Sequence, residues 1–276
     1  METLQITGNE ITISVNGTTI CYDDLGKGTI PIIFIHGFPF DKSIWKPQEE
    51  FLNLFYRVIT YDIRGYGNSI VDKKNPTIDL YADDLISFMN AMHIEKAIVC
   101  GLSMGGYILL NAVNRYPDKF EALILADTQC IADSSEVKEK RKTTIQQIED
   151  KGLEDFAKAF VGNVFCRESL VNKSEIVGQI QNIILSTQPE SITGTLSALA
   201  GRVETCSILN NIKIPVLILC GREDNVTPLK QSEFLQNSLP GSVLKVIDKA
   251  GHLSNLEQPD IFNKYIKEFI TGISNQ

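Results

Sequence analysis

The chain has 276 residues, of which 43% are hydrophobic and 22% charged, and its formal net charge is −8. This length suffices for one α/β domain with an insertion, and the composition is ordinary for a globular protein. The acidic balance and the lack of a long basic cluster argue against nucleic acid as a partner. The sequence contains neither an 18-residue apolar stretch nor a basic-then-apolar leader. We therefore expect a cytoplasmic protein with no membrane partner.

In the first half of the chain, strand-like runs alternate with helix-like ones. Residues 11–15 and 18–22 flank Asn16-Gly17, a dipeptide that favours a type I′ turn, so the chain is expected to begin with a hairpin. The alternation that follows predicts a mostly parallel sheet covered by helices on both faces. Strands are predicted over residues 31–35, 57–61, 97–100 and 121–126, and helices over 44–55, 79–92 and from 107 to before Tyr116-Pro117.

The alternation stops after residue 127, where helical patterns continue without a clear strand to about residue 212. We interpret residues 128–212 as an inserted helical lid; the alternative is that these are further core helices. The sheet then resumes, which assigns residues 1–127 and 213–276 to one core. Its remaining elements are predicted as strands 215–220 and 243–247 and helices 229–239 and 261–270.

The six cysteines show no C-x-x-C spacing, so the sequence predicts neither a metal site nor a redox pair. Cys100 and Cys220 each end an apolar run, where a free cysteine behaves as a small buried hydrophobe. We expect no metal and no organic cofactor.

The most informative stretch of the sequence runs from Lys96 to Gly106. An apolar, β-branched run leads into Gly101-Leu-Ser-Met-Gly105, and a helical pattern follows. Strand, G-x-S-x-G and helix are the context of a nucleophile elbow, a sharp turn that exposes the serine hydroxyl above the sheet. Gly101 and Gly105 supply the missing side chains that such a turn requires. Ser103 is therefore the candidate nucleophile.

A serine nucleophile needs an adjacent base, and the chain contains only three histidines. His93 ends a predicted helix on the side of the sheet away from the strand C-termini, which indicates a surface residue. His36 also follows a strand, but Gly37 comes next, and this loop is expected to supply a backbone donor to the reaction rather than the base. His252 lies directly after the last strand, from which its side chain can reach back over the sheet. His252 is the candidate base.

The base in turn needs a carboxylate to orient it. Asp224 lies at the end of the strand 215–220, which gives the chain order serine, acid, histidine of an α/β hydrolase. Asp127 also ends a strand and is a rival, and Glu223 is a second rival that is expected to point elsewhere along the turn. Asp224 is the preferred acid of the three.

Acyl transfer also requires donors for the oxyanion of its transition state. The N–H of Met104, the residue after the nucleophile, is one candidate. The loop after strand 31–35 supplies the other: Gly37 lets the backbone turn inward, Pro39 has no N–H, and Phe38 N–H remains. His36, Gly37, Gly101 and Gly105 are thus expected to support the site.

With these residues assembled, the sequence resembles the α/β-hydrolase superfamily along nearly its whole length. Within it, Leu123-Ile-Leu-Ala-Asp-Thr128 and the run from Gly251 resemble 3-oxoadipate enol-lactonases and small bacterial carboxylesterases. The resemblance implies a Ser-Asp-His triad, an oxyanion pair at Phe38 and Met104, and a lid over an acyl pocket. The motifs that carry it are His36-Gly-Phe-Pro39, Asp62-Ile-Arg-Gly-Tyr-Gly-Asn-Ser69, Gly101-Leu-Ser-Met-Gly-Gly106, Gly221-Arg-Glu-Asp-Asn-Val-Thr-Pro228 and Gly251-His-Leu-Ser-Asn-Leu-Glu-Gln-Pro259.

The expected function is a serine hydrolase that cleaves a small carboxylic ester or lactone through an acyl-enzyme. Haloalkane dehalogenases and epoxide hydrolases are disfavoured, because they use an aspartate where this chain has Ser103. A C–C bond hydrolase of the same fold and a hydrolase-fold ligand receptor with little turnover remain alternatives. Phe156, Phe160 and Phe165 in the predicted lid helices suggest an apolar pocket, although such aromatic residues are more often lid core than substrate contacts. The sequence indicates neither the natural substrate nor the oligomeric state.

Overall fold

The computed structural model describes residues 7–70 and 75–274. Its centre is an eight-stranded sheet in the order β1-β2-β4-β3-β5-β6-β7-β8. The first two strands pair with antiparallel neighbours, and all pairs from β4 to β8 are parallel. The strands are β1 Gly8–Val15, β2 Thr18–Leu25, β3 Ile32–Ile35, β4 Val58–Tyr61, β5 Ala97–Leu102, β6 Phe120–Ala126, β7 Val216–Gly221 and β8 Val243–Ile247.

The N-terminal hairpin is confirmed. Asn16 and Gly17 both adopt positive φ, 47° and 78°, as a type I′ turn requires. Strands β3, β4, β5 and β7 are buried at every position, which explains their continuous apolar runs. The predicted architecture, a mostly parallel sheet flanked by helices, is confirmed.

Helices connect the strands and cover the sheet. Helix α3 contacts α2 and β5, and α1 packs with α11. The helices are α1 Lys46–Leu52, α2 Ile78–Ala91, α3 Met104–Arg115, α4 Ser135–Lys151, α5 Glu154–Val164, α6 Arg167–Asn172, α7 Ser174–Ser186, α8 Pro189–Gly201, α9 Leu229–Ser238, α10 Ser254–Glu257 and α11 Pro259–Ser274.

The first helix differs from its predicted bounds of 44–55. A short 3₁₀ helix covers Lys42–Trp45, and α1 begins only at Lys46, because Pro47 fits the first turn of an α-helix but not its interior. The helix ends at Leu52. The prediction was therefore wrong at both ends, although a helix does lie there.

Helices α4 to α8 lie between β6 and β7, two strands that are direct neighbours in the sheet. We call residues 128–212 the helical insertion. Its helical content matches the sequence prediction, with one correction. Phe165 was expected within a helix, but α5 ends at Val164, and Phe165 is extended and buried.

A disulfide joins Cys130, shortly after β6, to Cys206, shortly before β7. The sequence analysis did not predict this disulfide, because C-x-x-C spacing detects only neighbouring cysteines and these two are 76 residues apart. Cys100 and Cys220 are free and buried, as predicted. Among the described residues, no helix is both long and apolar enough to cross a membrane.

Candidate active site

Ser103 occupies a sharp turn between β5 and α3. Its φ of 54° and ψ of −113° lie outside the regions that ordinary residues prefer, which is the strain that a nucleophile elbow requires. The turn leaves no space for a side chain at Gly101 or Gly105. A Cβ on Gly101 would lie 2.4 Å from the Gly105 oxygen, and one on Gly105 would lie 2.3 Å from the Ile35 oxygen.

Four neighbouring strands bring polar residues to one edge of the sheet. Ser103 follows β5, Asp127 follows β6, Asp224 follows β7 and His252 follows β8, and these strands are adjacent in that order. In parallel strands the carboxyl ends share one edge, where α/β proteins place their ligands. All four residues are buried, with 7% of Ser103 and 1% of His252 exposed. His93 lies apart from them, exposed after α2.

Asp224 and His252 form a buried pair. His252 Nδ1 lies 2.8 Å from Asp224 Oδ2. Asp224 also accepts hydrogen bonds from Thr227 Oγ1 at 2.7 Å and from the Val226 and Thr227 N–H groups at 2.7 and 3.0 Å. A carboxylate with this many donors is held in one orientation as an anion. With Nδ1 donating to Asp224, Nε2 is left to accept a proton.

The pKa values of this pair are shifted in opposite directions. Burial would raise the pKa of Asp224, but the charge of His252 and the hydrogen bonds from His252 and Thr227 outweigh it and hold that pKa below its usual value. Burial would lower the pKa of His252, but the charge and hydrogen bond of Asp224 outweigh it, with smaller contributions from Asp127 and Glu257, and raise it. The imidazolium form is thus favoured by its neighbours.

The two rival acids have other surroundings. Glu223 is exposed. Asp127 is fully buried, but its carboxyl bonds the Gly221 N–H at 2.7 Å and Ser254 Oγ at 2.5 Å rather than the histidine. Burial and the nearby charge of Asp224 raise the pKa of Asp127 to about 8. Asp127 is therefore mostly protonated at neutral pH.

The loop after β3 is held by His36, whose burial lowers its pKa to about 4. Its Nε2 accepts the Ile63 N–H at 2.9 Å, so Nδ1 carries the hydrogen and donates to the Gly37 carbonyl at 2.9 Å. The same carbonyl accepts the Phe40 N–H at 3.0 Å. Because the N–H of a trans peptide points opposite to its carbonyl, these bonds also fix the direction of Phe38 N–H.

Gly37 brings this loop onto the elbow, since a Cβ there would lie 3.2 Å from Ser103 Cβ. Met104 is the first residue of α3, so its backbone N–H has no intrahelical partner and lies at the positive end of the helix dipole. The structure thus brings the two candidate oxyanion donors, Phe38 and Met104, to the same end of β3 and β5 as Ser103.

Sequence reasoning missed several residues that hold the site together. Thr128 Oγ1 donates to the Ser103 carbonyl at 2.7 Å, Thr227 and Ser254 donate to the two aspartates, and Glu257 bonds the backbone beside His252. Each lies within one of the motifs that carry the resemblance, but those motifs gave it no role and named no partner for it. Their roles become visible only once the strands are in register.

One group of described residues could in principle hold a metal ion. Potential ligand atoms of Asp127, Cys220 and Asp224 all lie within 4.8 Å of one another. Both carboxyl groups already accept the hydrogen bonds described above, and Cys220 Sγ donates to the Gly221 oxygen. We therefore interpret this group as part of the hydrogen-bond network of the site.

Comparison with known proteins agrees with this geometry. Residues 30–259 match the alpha/beta hydrolase fold family, so the chain belongs to that family and is an enzyme of the α/β-hydrolase superfamily. Among curated relatives, 3-oxoadipate enol-lactonase 1 of Acinetobacter baylyi is 28% identical over 266 residues, which cover 96% of this chain and 95% of the relative.

Two solved structures are similar over nearly their whole length. A thermophilic esterase from Thermogutta terrifontis, with malate bound, superposes with a TM-score of 0.91 at 32% identity, covering 95% of this chain and 98% of its own. The enol-lactonase from Burkholderia xenovorans has a TM-score of 0.88 at 27% identity, covering 95% of this chain and 100% of its own. The resemblance inferred from the motifs is thereby confirmed.

Proposed function

We propose that this protein is a serine hydrolase that cleaves small carboxylic esters or lactones, with Ser103 as nucleophile, His252 as base and Asp224 as the acid that orients it. The observation that carries the proposal is the strained Ser103 turn at the same sheet edge as the buried Asp224–His252 pair, 2.8 Å apart. The esterase and lactonase relatives support the substrate class.

In the first step, Ser103 Oγ attacks the ester carbonyl carbon while His252 Nε2 accepts the hydroxyl proton. Asp224 holds the imidazole in the required tautomer and stabilises the imidazolium. The Phe38 and Met104 N–H groups donate to the oxyanion of the tetrahedral intermediate. When the carbonyl re-forms, the C–O bond to the alcohol breaks and His252 returns its proton to the departing oxygen.

In the second step, water replaces the alcohol. His252 removes a proton from the water as its oxygen attacks the acyl carbon, and the Ser103 ester bond then breaks with the proton returned to Oγ. An ester yields an alcohol and an acid, whereas a lactone yields one hydroxy acid because its two parts stay joined. The same residues serve both substrates.

We propose the helical insertion as a lid that forms part of the substrate pocket. The Phe38 ring lies 6.2 Å from Phe156 and 5.9 Å from Phe160 of α5, measured between ring centroids. These half-buried rings give the oxyanion loop an apolar wall on the insertion side. Such a wall favours an apolar substrate group.

Charge pairing argues for an uncharged substrate. Among the described residues, the buried arginines 57, 64 and 202 are paired with Asp24, Asp84 and Asp133, respectively. In the part of the chain that the structure describes, a substrate carboxylate near the site would find no uncommitted buried guanidinium and would have to be desolvated without that partner. We therefore expect neutral esters and lactones to be better substrates than those with a second carboxylate.

The test is a panel of p-nitrophenyl esters and lactones of graded acyl length, with and without a terminal carboxylate, run with wild type and Ser103→Ala. Wild type should turn over the neutral members, and the variant should lose at least about 10³-fold in kcat. Full activity in Ser103→Ala would contradict the mechanism. Ligand binding without turnover would favour a receptor, and cleavage of C–C substrates alone would favour a C–C bond hydrolase.

A further inference from the structure

The loop that carries His252 is in contact with the helical insertion through backbone atoms. The His252 N–H donates to the Val164 carbonyl at 2.8 Å. Next to it, Gly251 lies so close to the insertion that a Cβ there would be 2.7 Å from the Cys166 nitrogen. Residues 164–166, which connect α5 to α6, therefore lie directly on the base's loop.

A single buried carboxylate joins the same two segments. Glu257 is fully buried, its Oε1 accepts the Gly251 N–H at 2.7 Å, and its Oε2 accepts the Cys166 N–H at 2.9 Å. Lys173 of the insertion also donates to the Glu257 backbone carbonyl. A buried carboxylate is tolerated only where such donors replace water, so its position depends on both segments being in place.

We propose that Glu257 is a positioning residue that holds the loop of His252 against residues 164–166, so that the helical insertion and Asp224 together align the base. This inference rests on the proposed serine-hydrolase function. Asp224 orients the ring through Nδ1, and Glu257 orients the backbone from which the ring projects. Displacement of residues 164–166 would then move His252 relative to Ser103.

The carboxylate also acts on the base through its charge. Burial lowers the pKa of His252, but Asp224 most strongly, then Asp127 when it is ionised, and Glu257 raise it. Lys173 and the buried Cys166 thiol are the other titratable groups at this contact. Loss of the Glu257 charge should therefore lower the pKa of His252, a change that loss of folded protein alone would not produce.

The primary test compares Glu257→Gln with Asp260→Asn, which removes the same charge from an exposed side chain three residues away. The glutamine has one acceptor oxygen and presents an NH₂ donor to the second N–H, so one bond is lost. We expect Glu257→Gln to lower kcat by about 10- to 100-fold with little change in KM. We also expect the acid limb of its kcat/KM profile to move to lower pH. A variant that matches Asp260→Asn in both readouts would overturn the inference.

The contact can also be broken from the insertion side, which guards against misfolding of the first variant. Cys166 has a φ of −68°, the value that proline imposes, so Cys166→Pro is compatible with the local φ. It removes the N–H, and its ring Cδ takes the place of that hydrogen and displaces the Glu257 carboxylate, which lies 2.9 Å from the nitrogen. Cys166→Ala is the matched control, because it loses the same sulfur contacts but keeps the N–H. We expect a kcat loss of about 10-fold in the proline variant only. In the double variant Glu257→Gln/Cys166→Pro, the fold-loss in kcat should be smaller than the product of the two single losses, because both changes break the same contact. Equal activity of the proline and alanine variants, or full multiplicativity, would contradict the inference.

Labelling with a fluorophosphonate separates this inference from the function on which it rests. If wild type is neither labelled at Ser103 nor active on any ester or lactone, the proposed function has failed. If wild type is labelled and active while Glu257→Gln and Cys166→Pro are labelled at the wild-type rate, only the positioning role has failed.

Discussion

The ends of β6 and β7 invite comparison, because each of these neighbouring strands is followed by a buried aspartate. Asp224 accepts hydrogen bonds from the Val226 and Thr227 N–H groups and from Thr227 Oγ1, and it pairs with His252. Asp127 has two partners, the Gly221 N–H and Ser254 Oγ. Their pKa values accordingly move apart, below the usual value for Asp224 and to about 8 for Asp127.

This difference shows that the donors around a carboxyl, more than its burial or its position at a strand end, decide its role. Two carboxylates so close together cannot both ionise cheaply in a buried site. The one with the cation and the larger set of donors keeps the charge. The other becomes a neutral group that pins the turn after β7 and the loop after β8.

The two aspartates should differ most in their effect on kcat when each is replaced by its amide. Asp224→Asn should lower kcat by about 10⁴-fold, because an amide next to Nδ1 favours the wrong imidazole tautomer. Asp127→Asn should cost less than about 10-fold, because the amide oxygen still accepts the Gly221 N–H, and the amide NH₂ can donate to Ser254 Oγ in place of the bond that Ser254 now donates. Ester hydrolysis measured on both folded variants checks this. The reverse order of effects would make Asp127 the catalytic acid.

A smaller effect is expected from removing one donor at each carboxyl. Thr227→Val removes a hydrogen bond to an ionised group, about 1.5–3 kcal/mol, and should lower kcat/KM by about 10-fold. Ser254→Ala removes a bond to a neutral acid, about 1 kcal/mol, and should lower kcat/KM by no more than about 5-fold. Steady-state kinetics at several pH values provide the measurement. Equal losses in the two variants would argue that both carboxyls carry the same charge.

The last prediction concerns stability more than rate. The protonation of Asp127 should make the free energy of unfolding depend on pH. Its pKa is about 8 in the folded protein against about 3.9 in an unfolded chain, so between these values the folded state holds the extra proton. The contribution of Asp127 to the free energy of unfolding is therefore complete below about pH 4 and falls up to about pH 8. The slope is at most about 1.4 kcal/mol per pH unit.

Asp127→Asn lacks this titration, so the difference between the two stability curves isolates it from all other groups. Urea unfolding of wild type and variant at pH 4 to 9 measures both curves. We expect wild type to lose stability relative to Asp127→Asn as the pH rises. Parallel curves would show that Asp127 is ionised in the folded protein throughout.

The sequence predicted the features that depend on local patterns. Apolar runs located every strand of the core, and Asn16-Gly17 located the hairpin. The candidate residues Ser103, Asp224 and His252 followed from one motif, the rarity of histidine and their positions after strands. A strand end is informative because the carboxyl ends of parallel strands share one edge of the sheet.

Features that depend on long-range contact could not be predicted in the same way. Glu257 and Cys166 are 91 residues apart in sequence, and neither stands in a motif that names the other as partner. The Cys130–Cys206 disulfide was not predicted for the same reason, because its cysteines are 76 residues apart. The start of α1 was missed for a local reason instead: the prediction followed the apolar pattern and gave too little weight to Pro47, which fits only the first turn of a helix.

The disulfide between Cys130 and Cys206 also has a topological meaning. It closes the helical insertion into a covalent ring at the point where the chain leaves the sheet and returns to it. A protease that cuts once between these two cysteines therefore yields two fragments that remain attached, and they separate only when a thiol reductant is added. The helical insertion can thus be cut once between these cysteines and remain attached.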